Sequence, residues 1–267
     1  MDNFLDKIFF RSRNLDYISQ NLINLTHQTP AKRIFEAINT YSENSEVRYV
    51  GGCVRKIIKK EIVDDIDLAT NLKPIEVCDA LKKQDINYYE TGIEHGTITA
   101  IIDDYKYEIT SLRKDVSTDG RHAKVEFSSD WKEDAARRDF SINSIYSDKD
   151  GNLFDPYNGK KDLESGKINF IGDSENRIKE DYLRILRYVR FFINYSNQSH
   201  DINIIKKIKK NIGGVSKLSS ERLLDEFKKL TRSNAFLKIF NDEISLELIE
   251  IIFPQLKNLE NFKKLNS

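Results

Sequence analysis

The extended segment Val47 to Val50 runs directly into Gly51-Gly52, and a short distance on the chain reads Asp64-Asp65-Ile66-Asp67-Leu68-Ala69-Thr70. Two glycines remove Cβ atoms from the turn, so its backbone N–H groups can approach a ligand closely. The helix expected over Val54 to Lys60 presents its positive N-terminal end to the same space. In the strand expected over Ile62 to Leu68, successive side chains alternate between faces. Asp65 and Asp67 therefore project together, while Ile66 and Leu68 pack on the other side and Asp64 points away with Ile66. Strand, glycine turn, helix and carboxylate-bearing strand, in that order, confine this part of the chain to a sheet backed by helices.

Paired carboxylates on one strand face suit magnesium, a hard cation that prefers oxygen ligands. Two such ions about 4 Å apart can clamp the attacking and leaving oxygens of a phosphoryl displacement. The glycine turn offers room for a triphosphate, and Arg55 adds a fork-shaped donor. Read separately, Gly-Gly is an ordinary turn and Asp-x-Asp an exposed strand end. Their adjacency points to nucleotidyl transfer.

With 267 residues, 39% of them hydrophobic, the chain can hold one large or two small domains with a real core. No run approaches the ~20 apolar residues of a membrane span, and Met1-Asp2-Asn3 lacks the basic start of a secretory signal. Cys53 and Cys78 are the only cysteines and the four histidines are scattered, which argues against a disulfide framework or structural zinc and for a reducing cytoplasm. Formal net charge is zero, but fifteen Lys or Arg face six acids between Arg177 and Lys238. Such a basic helical surface can track a phosphate backbone or can simply be a solvated helix face.

Three domains are expected: a polar extension over 1–29, an α/β head over 30–172, and a helical region over 173–267. In the head, helices are expected over Ala31 to Tyr41 and Pro74 to Lys83, and a hairpin over Gly96 to Ile102 and Tyr105 to Leu112, turning at Asp103-Asp104. Lys114 to Lys124 is polar and aperiodic and reads as a mobile loop. Helical periodicity then runs through 180–195, 201–212, 219–232 and 242–252. The fold class is α+β, a mixed sheet with helices followed by an all-α region.

Two further groups of residues carry chemistry. In Arg137-Arg138-Asp139-Phe140-Ser141-Ile142-Asn143, the apolar residues anchor the segment and leave Arg138, Asp139 and Asn143 for polar work: Arg138 for phosphate, Asp139 for a ribose hydroxyl. Structural salt bridges are the competing reading. In Glu180-Asp181-Tyr182-Leu183-Arg184-Ile185-Leu186-Arg187-Tyr188-Val189-Arg190, Asp181 and Arg184 stand three apart and are expected on one helix face. The carboxylate can accept from the exocyclic amino group shared by cytosine and adenine, while the guanidinium donates to acceptors on their Watson–Crick edges. Guanine and uracil present the opposite pattern and would be repelled. Arg187 and Arg190 continue the spacing towards a triphosphate. Spacing alone fits equally well an intrahelical ion pair worth only ~0.3–0.5 kcal/mol.

Together and in this order, Gly-Gly-Cys-Val-Arg with Asp-Ile-Asp-Leu-Ala-Thr, Arg-Arg-Asp-Phe-Ser-Ile-Asn and Glu-Asp-Tyr-Leu-Arg closely resemble the class II tRNA nucleotidyltransferases. These are the CCA-adding enzymes of the polymerase-β nucleotidyltransferase superfamily, which also holds bacterial poly(A) polymerases. Thr91 to Thr97 and Tyr107 to Arg113 are also similar to family sequence, and the likeness covers about residues 45 to 240.

The resemblance implies a polymerase-β-like head followed by a neck and a shortened body. It implies that Asp65 and Asp67 bind two magnesium ions, that Gly52, Arg55, Arg138 and Asp139 serve the incoming nucleotide, and that Asp181 and Arg184 read its base with Arg187 and Arg190 nearby. It implies template-independent addition of C, C and A to the tRNA 3′ end and acceptor region from CTP and ATP, with release of pyrophosphate. No role for DNA or a membrane is expected. A CC-adding or A-adding specialist, a poly(A) polymerase and a non-catalytic tRNA-binding relative are the alternatives. Glu108 is a further acid on an expected adjacent strand, outside the assigned set. Lys56 stands where relatives carry an acid after Val-Arg. The chain is short of most relatives, so a reduced tRNA grip, a homodimer, or action on part of the sequence is expected.

Overall fold

A computed structural model describes residues 16–117 and 124–256. Tyr17–Gln28 (α1) is capped by Asp16, whose carboxylate accepts from Ser19 N at 2.8 Å. Ile18, Leu22 and Thr26 of this helix are buried in the head, so this half of the expected polar extension is part of the core; the other half lies outside the described residues. Ala31–Asn39 (α2) follows, then Val47–Val50 (β1), Gly52–Ile58 (α3), Ile66–Thr70 (β2) and Pro74–Lys83 (α4). α3 starts two residues earlier than periodicity predicts, because Gly51 alone takes the turn conformation. β2 starts at Ile66 rather than Ile62, since the residues before it lack a pairing partner.

Asn87–Gly92 (β3), Thr97–Ile102 (β4) and Tyr105–Ser111 (β5) complete one side of the sheet. β4 and β5 are the expected hairpin; β3 has no counterpart in the sequence reading. Arg113–Ser117 (β6) pairs antiparallel with Lys124–Phe127 (β7), so the ends of the expected mobile loop form a two-stranded ribbon, and its centre lies outside the described residues. Trp131–Arg137 (α5), Tyr146–Ser147 (β8), Leu153–Phe154 (β9) and Gly159–Ser165 (α6) end the head. The sheet runs β3-β4-β5-β2-β1-β8-β9, with β2 and β5 parallel and the other pairs antiparallel. It is therefore mixed, as expected.

One sheet face packs on α1 to α4 through Tyr49, Leu68, Ile98, Tyr107 and Ile109. Cys53 and Cys78 lie in this core as free thiols. On the opposite face, α5 covers the β1–β8 end, where Ala135 meets Val50, Ala69 and Tyr146. The helical region is Ser174–Glu180 (α7), Leu183–Tyr195 (α8), Ile202–Asn211 (α9), Ser220–Thr231 (α10) and Glu243–Ile252 (α11). Side chains of Asp173, Asp201, Ser219 and Asp242 cap α7, α9, α10 and α11 in turn. Phe140, Ile142, Leu163 and Phe170 belong to the helical core, so the two regions share apolar packing across the expected boundary at 172.

α5 is tied to the sheet by a buried charge. Asp134, whose side chain is 1% exposed, binds Arg137 at 2.7 Å and Arg138 at 3.1 Å and accepts from the Tyr146 hydroxyl at 2.7 Å. Burial pushes its carboxyl up, but the charges of Arg138 and Arg137 and the bond from Tyr146 outweigh this and hold it at about 2, against an ordinary 3.8. A lowered carboxylate stabilises the fold above its ordinary value and loses that contribution as pH falls through the folded value. Asp134→Ala is expected to cost about 3 kcal/mol near neutral pH, the scale for removing one partner of a buried pair. In urea unfolding the gap from wild type should close as pH falls from 3.8 towards about 2.

Candidate active site

Gly51, at φ 68°, is in the left-handed region that glycine enters without strain, and it turns the chain from β1 into α3. A Cβ at Gly51 would lie 3.8 Å from Arg138 Nη1 and 4.0 Å from Asp67 Oδ2; one at Gly52 would lie 3.7 Å from Asp67 Oδ2. The missing side chains thus leave a hollow walled by a carboxylate and a guanidinium. α3 is only seven residues long, so the hollow rather than a helix field is the notable feature.

Asp67 lies on the sheet face opposite Ile66 and Leu68, which are buried against the helices. Its partner in the parallel β2–β5 ladder is Glu108, so the two acids share a face on adjacent strands. Asp65 stands exposed one residue before the strand. Burial raises the Asp67 carboxyl, and the charges of Glu108 and Asp65 raise it further, against the pull of Arg138 and Arg55. The carboxylates of Asp67 and Glu108 side by side on this face, with the charge of Asp65 nearby and a hollow beside them, are hard-oxygen donors of the kind a divalent cation such as magnesium takes. Among the described residues no three acidic, histidine or cysteine side chains are grouped so as to hold a metal ion by themselves. An ion here would complete its shell with phosphate oxygens and water, as magnesium does. Asp64 turns away and accepts from Lys56 Nζ.

Arg55 is buried and points into the molecule rather than to solvent. Its Nη1 donates to Asn143 Oδ1, and its guanidinium lies over Phe191 and Tyr195 of α8, 5.0 and 5.2 Å from the ring centroids. Arg138 donates through Nε to the Tyr146 hydroxyl at 2.9 Å and pairs with Asp134, so it is anchored where the sequence suggested a free side chain. Asp139 accepts from Asn143 Nδ2 at 2.8 Å, from Phe140 N at 2.8 Å and from Arg187 Nε at 2.6 Å. Burial would raise Asp139, yet the Arg187 charge and the Asn143 bond hold it at about 2. Asp139 is thus already saturated by protein donors.

The expected single helix face through Asp181 and Arg184 does not form. α7 ends at Glu180, Asp181 is extended (φ −151°, ψ 106°), and α8 begins at Leu183. Asp181 accepts from Leu183 N at 3.1 Å and from Arg222 Nη2 of α10 at 2.8 Å. Its bond to the start of α8 is the usual reason an acid breaks a helix at that point. Arg184 Nη1 donates to Glu180 and to the Arg177 carbonyl, both at 2.7 Å. Arg177 in turn binds Glu180 and the carbonyls of Arg137 and Arg138. Arg187 binds Asp139, and Arg190 binds Glu226 of α10. Neither arginine reaches the glycine hollow as a free cation.

Arg222 and Glu226 are the principal additions to the sequence reading. They stand four apart on α10, a spacing that reads as a surface pair along one helix, whereas in the fold they serve Asp181 and the two arginines of α8. Folding also consumes much of the basic surface. Ten of the fifteen cations between Arg177 and Lys238 pair with carboxylates, leaving Lys206, Lys217, Lys229, Arg232 and Lys238 without an ion-pair partner among the described residues.

Residues 47–169 match the poly(A) polymerase head domain family, and residues 201–260 match the family described as the probable RNA and SrmB-binding site of polymerase A. The chain is 40% identical over 228 residues to the mitochondrial CCA tRNA nucleotidyltransferase 1 of Homo sapiens, an alignment covering 84% of this chain and 52% of that protein. It is 34% identical over 243 residues to the CCA-adding enzyme of Lactobacillus johnsonii, covering 89% of this chain and 59% of the relative. The structure of the Bacillus stearothermophilus CCA-adding enzyme in complex with CTP superposes with a TM-score of 0.70 at 26% identity, covering 88% of this chain and 52% of that one. The chain spans between half and three fifths of the length of these relatives. On the matched head domain and the likeness to these CCA-adding enzymes, the chain belongs to the CCA-adding enzyme and poly(A) polymerase family of polymerase-β-type nucleotidyltransferases.

Proposed function

We propose that the protein adds C, C and A to the 3′ end of tRNA without a nucleic-acid template, taking the nucleotides from CTP and ATP and releasing pyrophosphate. The observation that carries this reading is the acidic face of Asp67, Glu108 and Asp65 beside the hollow at Gly51 and Gly52. The names of the relatives support tRNA as the acceptor, and solved complexes of neighbours with CTP and with ATP support those nucleotides. Asp65 and Asp67 would hold magnesium, which when bound supplies charge neutralisation for the triphosphate and the attacking 3′ hydroxyl. Gly52 gives the phosphates room, and Arg138 lies at the rim of the hollow, oriented by Asp134 and Tyr146.

Asp139 orders this site through Asn143 and Arg55 and has its acceptor sites filled, which favours a positioning role over direct capture of a ribose hydroxyl. For base choice, the bonds from Leu183 N and Arg222 orient the Asp181 carboxylate, which has lone pairs for one further donor such as the amino group of cytosine or adenine. Arg184 uses Nη1 within the protein, so the rest of its guanidinium serves the base. Arg187 and Arg190 support this arrangement from behind through Asp139 and Glu226. No helix among the described residues is long and apolar enough to cross a membrane, and two buried, unpaired cysteines fit a reducing cytoplasmic compartment.

The test offers tRNAs ending before the tail, after C and after CC, each with labelled CTP or ATP and magnesium, and sizes the products at nucleotide resolution. Products from every start should end at CCA. Stopping at CC or reaction of the CC-ended tRNA alone would make it a partial specialist, long A tails a poly(A) polymerase, and no product a binding protein. Asp67→Asn is expected to lower incorporation at least about a thousandfold, the scale of several kcal/mol of charge stabilisation, with tRNA binding retained.

Base choice is tested separately. Asp181→Asn should lower the kcat/KM preference for CTP over UTP by about ten- to a hundredfold, since one charge-assisted hydrogen bond carries it. An unchanged CTP to UTP ratio in that variant removes Asp181 from base choice.

A further inference from the structure

Residues 59–65 join α3 to β2 without helix or strand structure, and they deliver Asp65 to the candidate metal face. The connection leaves α3 through a turn in which Glu61 N donates to Lys56 O at 2.8 Å and Lys60 takes φ 60°. It then runs over the surface, with Ile62 89% exposed and both Asp64 and Asp65 exposed. β2 pairing begins only at Ile66. Val63 packs against the head core and Lys60 Nζ lies 5.0 Å from the Tyr17 ring centroid, so the arm is anchored up to Val63 and the stretch with few contacts is its acidic end at Asp64 and Asp65.

One side-chain ion pair ties it down, from Lys56 Nζ to Asp64. The lysine side chain is only 25% exposed and projects from the last turn of the same short helix whose first residue, Gly52, borders Asp67. α3 therefore touches the acidic site at both ends, at Asp67 through Gly52 and at the Asp65 arm through Lys56. Side-chain alternation then matters, because with Asp64 held on one side of the extended chain, Asp65 must face the other side, where Asp67 lies.

We infer that Lys56 is a positioning residue for metal binding: by holding Asp64 it fixes the arm so that Asp65, and not Asp64, faces Asp67. The inference rests on the reading of Asp65 and Asp67 as metal ligands, and it adds a residue that touches neither metal nor nucleotide. An exposed pair contributes at most about 1 kcal/mol, so the effect on cation affinity is about two- to fivefold.

Positioning and simple electrostatics make opposite predictions. If Lys56 and Asp64 acted only through their charges, Lys56→Met would tighten cation binding and Asp64→Asn would weaken it, and the double variant would resemble wild type. If they act as a tether, Lys56→Met, Asp64→Asn and the double variant all weaken binding to a similar degree, a non-additive cycle, while Lys56→Arg binds as wild type. The measurement is Mn2+ affinity by electron paramagnetic resonance on the full chain without nucleotide, with thermal unfolding of each variant alongside.

The expected result is a two- to fivefold rise in Mn2+ Kd for all three tether-breaking variants, with no further loss in the double. Shifts of opposite sign, or Kd values equal to wild type, overturn the inference and leave the metal reading intact. Absence of saturable Mn2+ binding in the wild-type protein overturns both.

Discussion

Where the head and the helical region share apolar packing, the bond from Arg187 to Asp139 at 2.6 Å ties their polar groups together, and much of the site follows from it. Removing a carboxylate and a guanidinium from water is expensive unless every remaining donor and acceptor is satisfied. Here Asp139 takes Asn143, the Phe140 amide and Arg187, while Glu226 receives Arg187 and Arg190 together. Asn143 carries the chain of bonds onward to Arg55, which starts in the helix that opens at the glycine turn. A continuous polar path thus runs from Gly52 through Arg55, Asn143 and Asp139 to α8 and α10. Phe140 packs against Phe170 and Phe191 beside it.

This path gives the two halves of the candidate site their relation. Arg177 binds the carbonyls of Arg137 and Arg138 and also Glu180, which orients Arg184. The residues proposed to read the base are therefore attached to the segment that carries Arg138 at the phosphate side. Specific recognition needs such preorganisation, since a carboxylate or guanidinium free to rotate would meet any base by adjusting its rotamer. The break at Asp181 serves the same end: a continuous helix would have placed Asp181 and Arg184 on a surface face, whereas ending α7 turns Asp181 towards Arg222.

Local rules made much of this legible in the sequence. Hydrophobic alternation placed Asp67 on the face opposite Leu68, helical periodicity found α8 to α11 within a few residues, and the Asp and Ser caps mark where three of these four helices begin. β3 escaped notice because Asn87 to Gly92 has no clean alternation and exists through its pairing with β4. The ribbon of β6 and β7 escaped for the same reason. α1 falls in the expected polar extension although Ile18, Leu22 and Leu25 recur at helical spacing, and Leu22 is wholly buried.

The sequence by itself determined which residues are candidates for the chemistry, because spacing within a strand or around a glycine turn is a local property of the backbone. It could not determine partners for long charged side chains. Arg187, Arg190, Arg222 and Glu226 all sit at helical spacings that suggest neighbours along their own helices, and each finds its partner on another element. Lys56 likewise read as a departure at a helix start and proved to reach Asp64 at the far end of the connection. Only tertiary packing brings such groups together, since the cost of burying a charge is met by whichever opposite charge the fold delivers, at any distance along the chain.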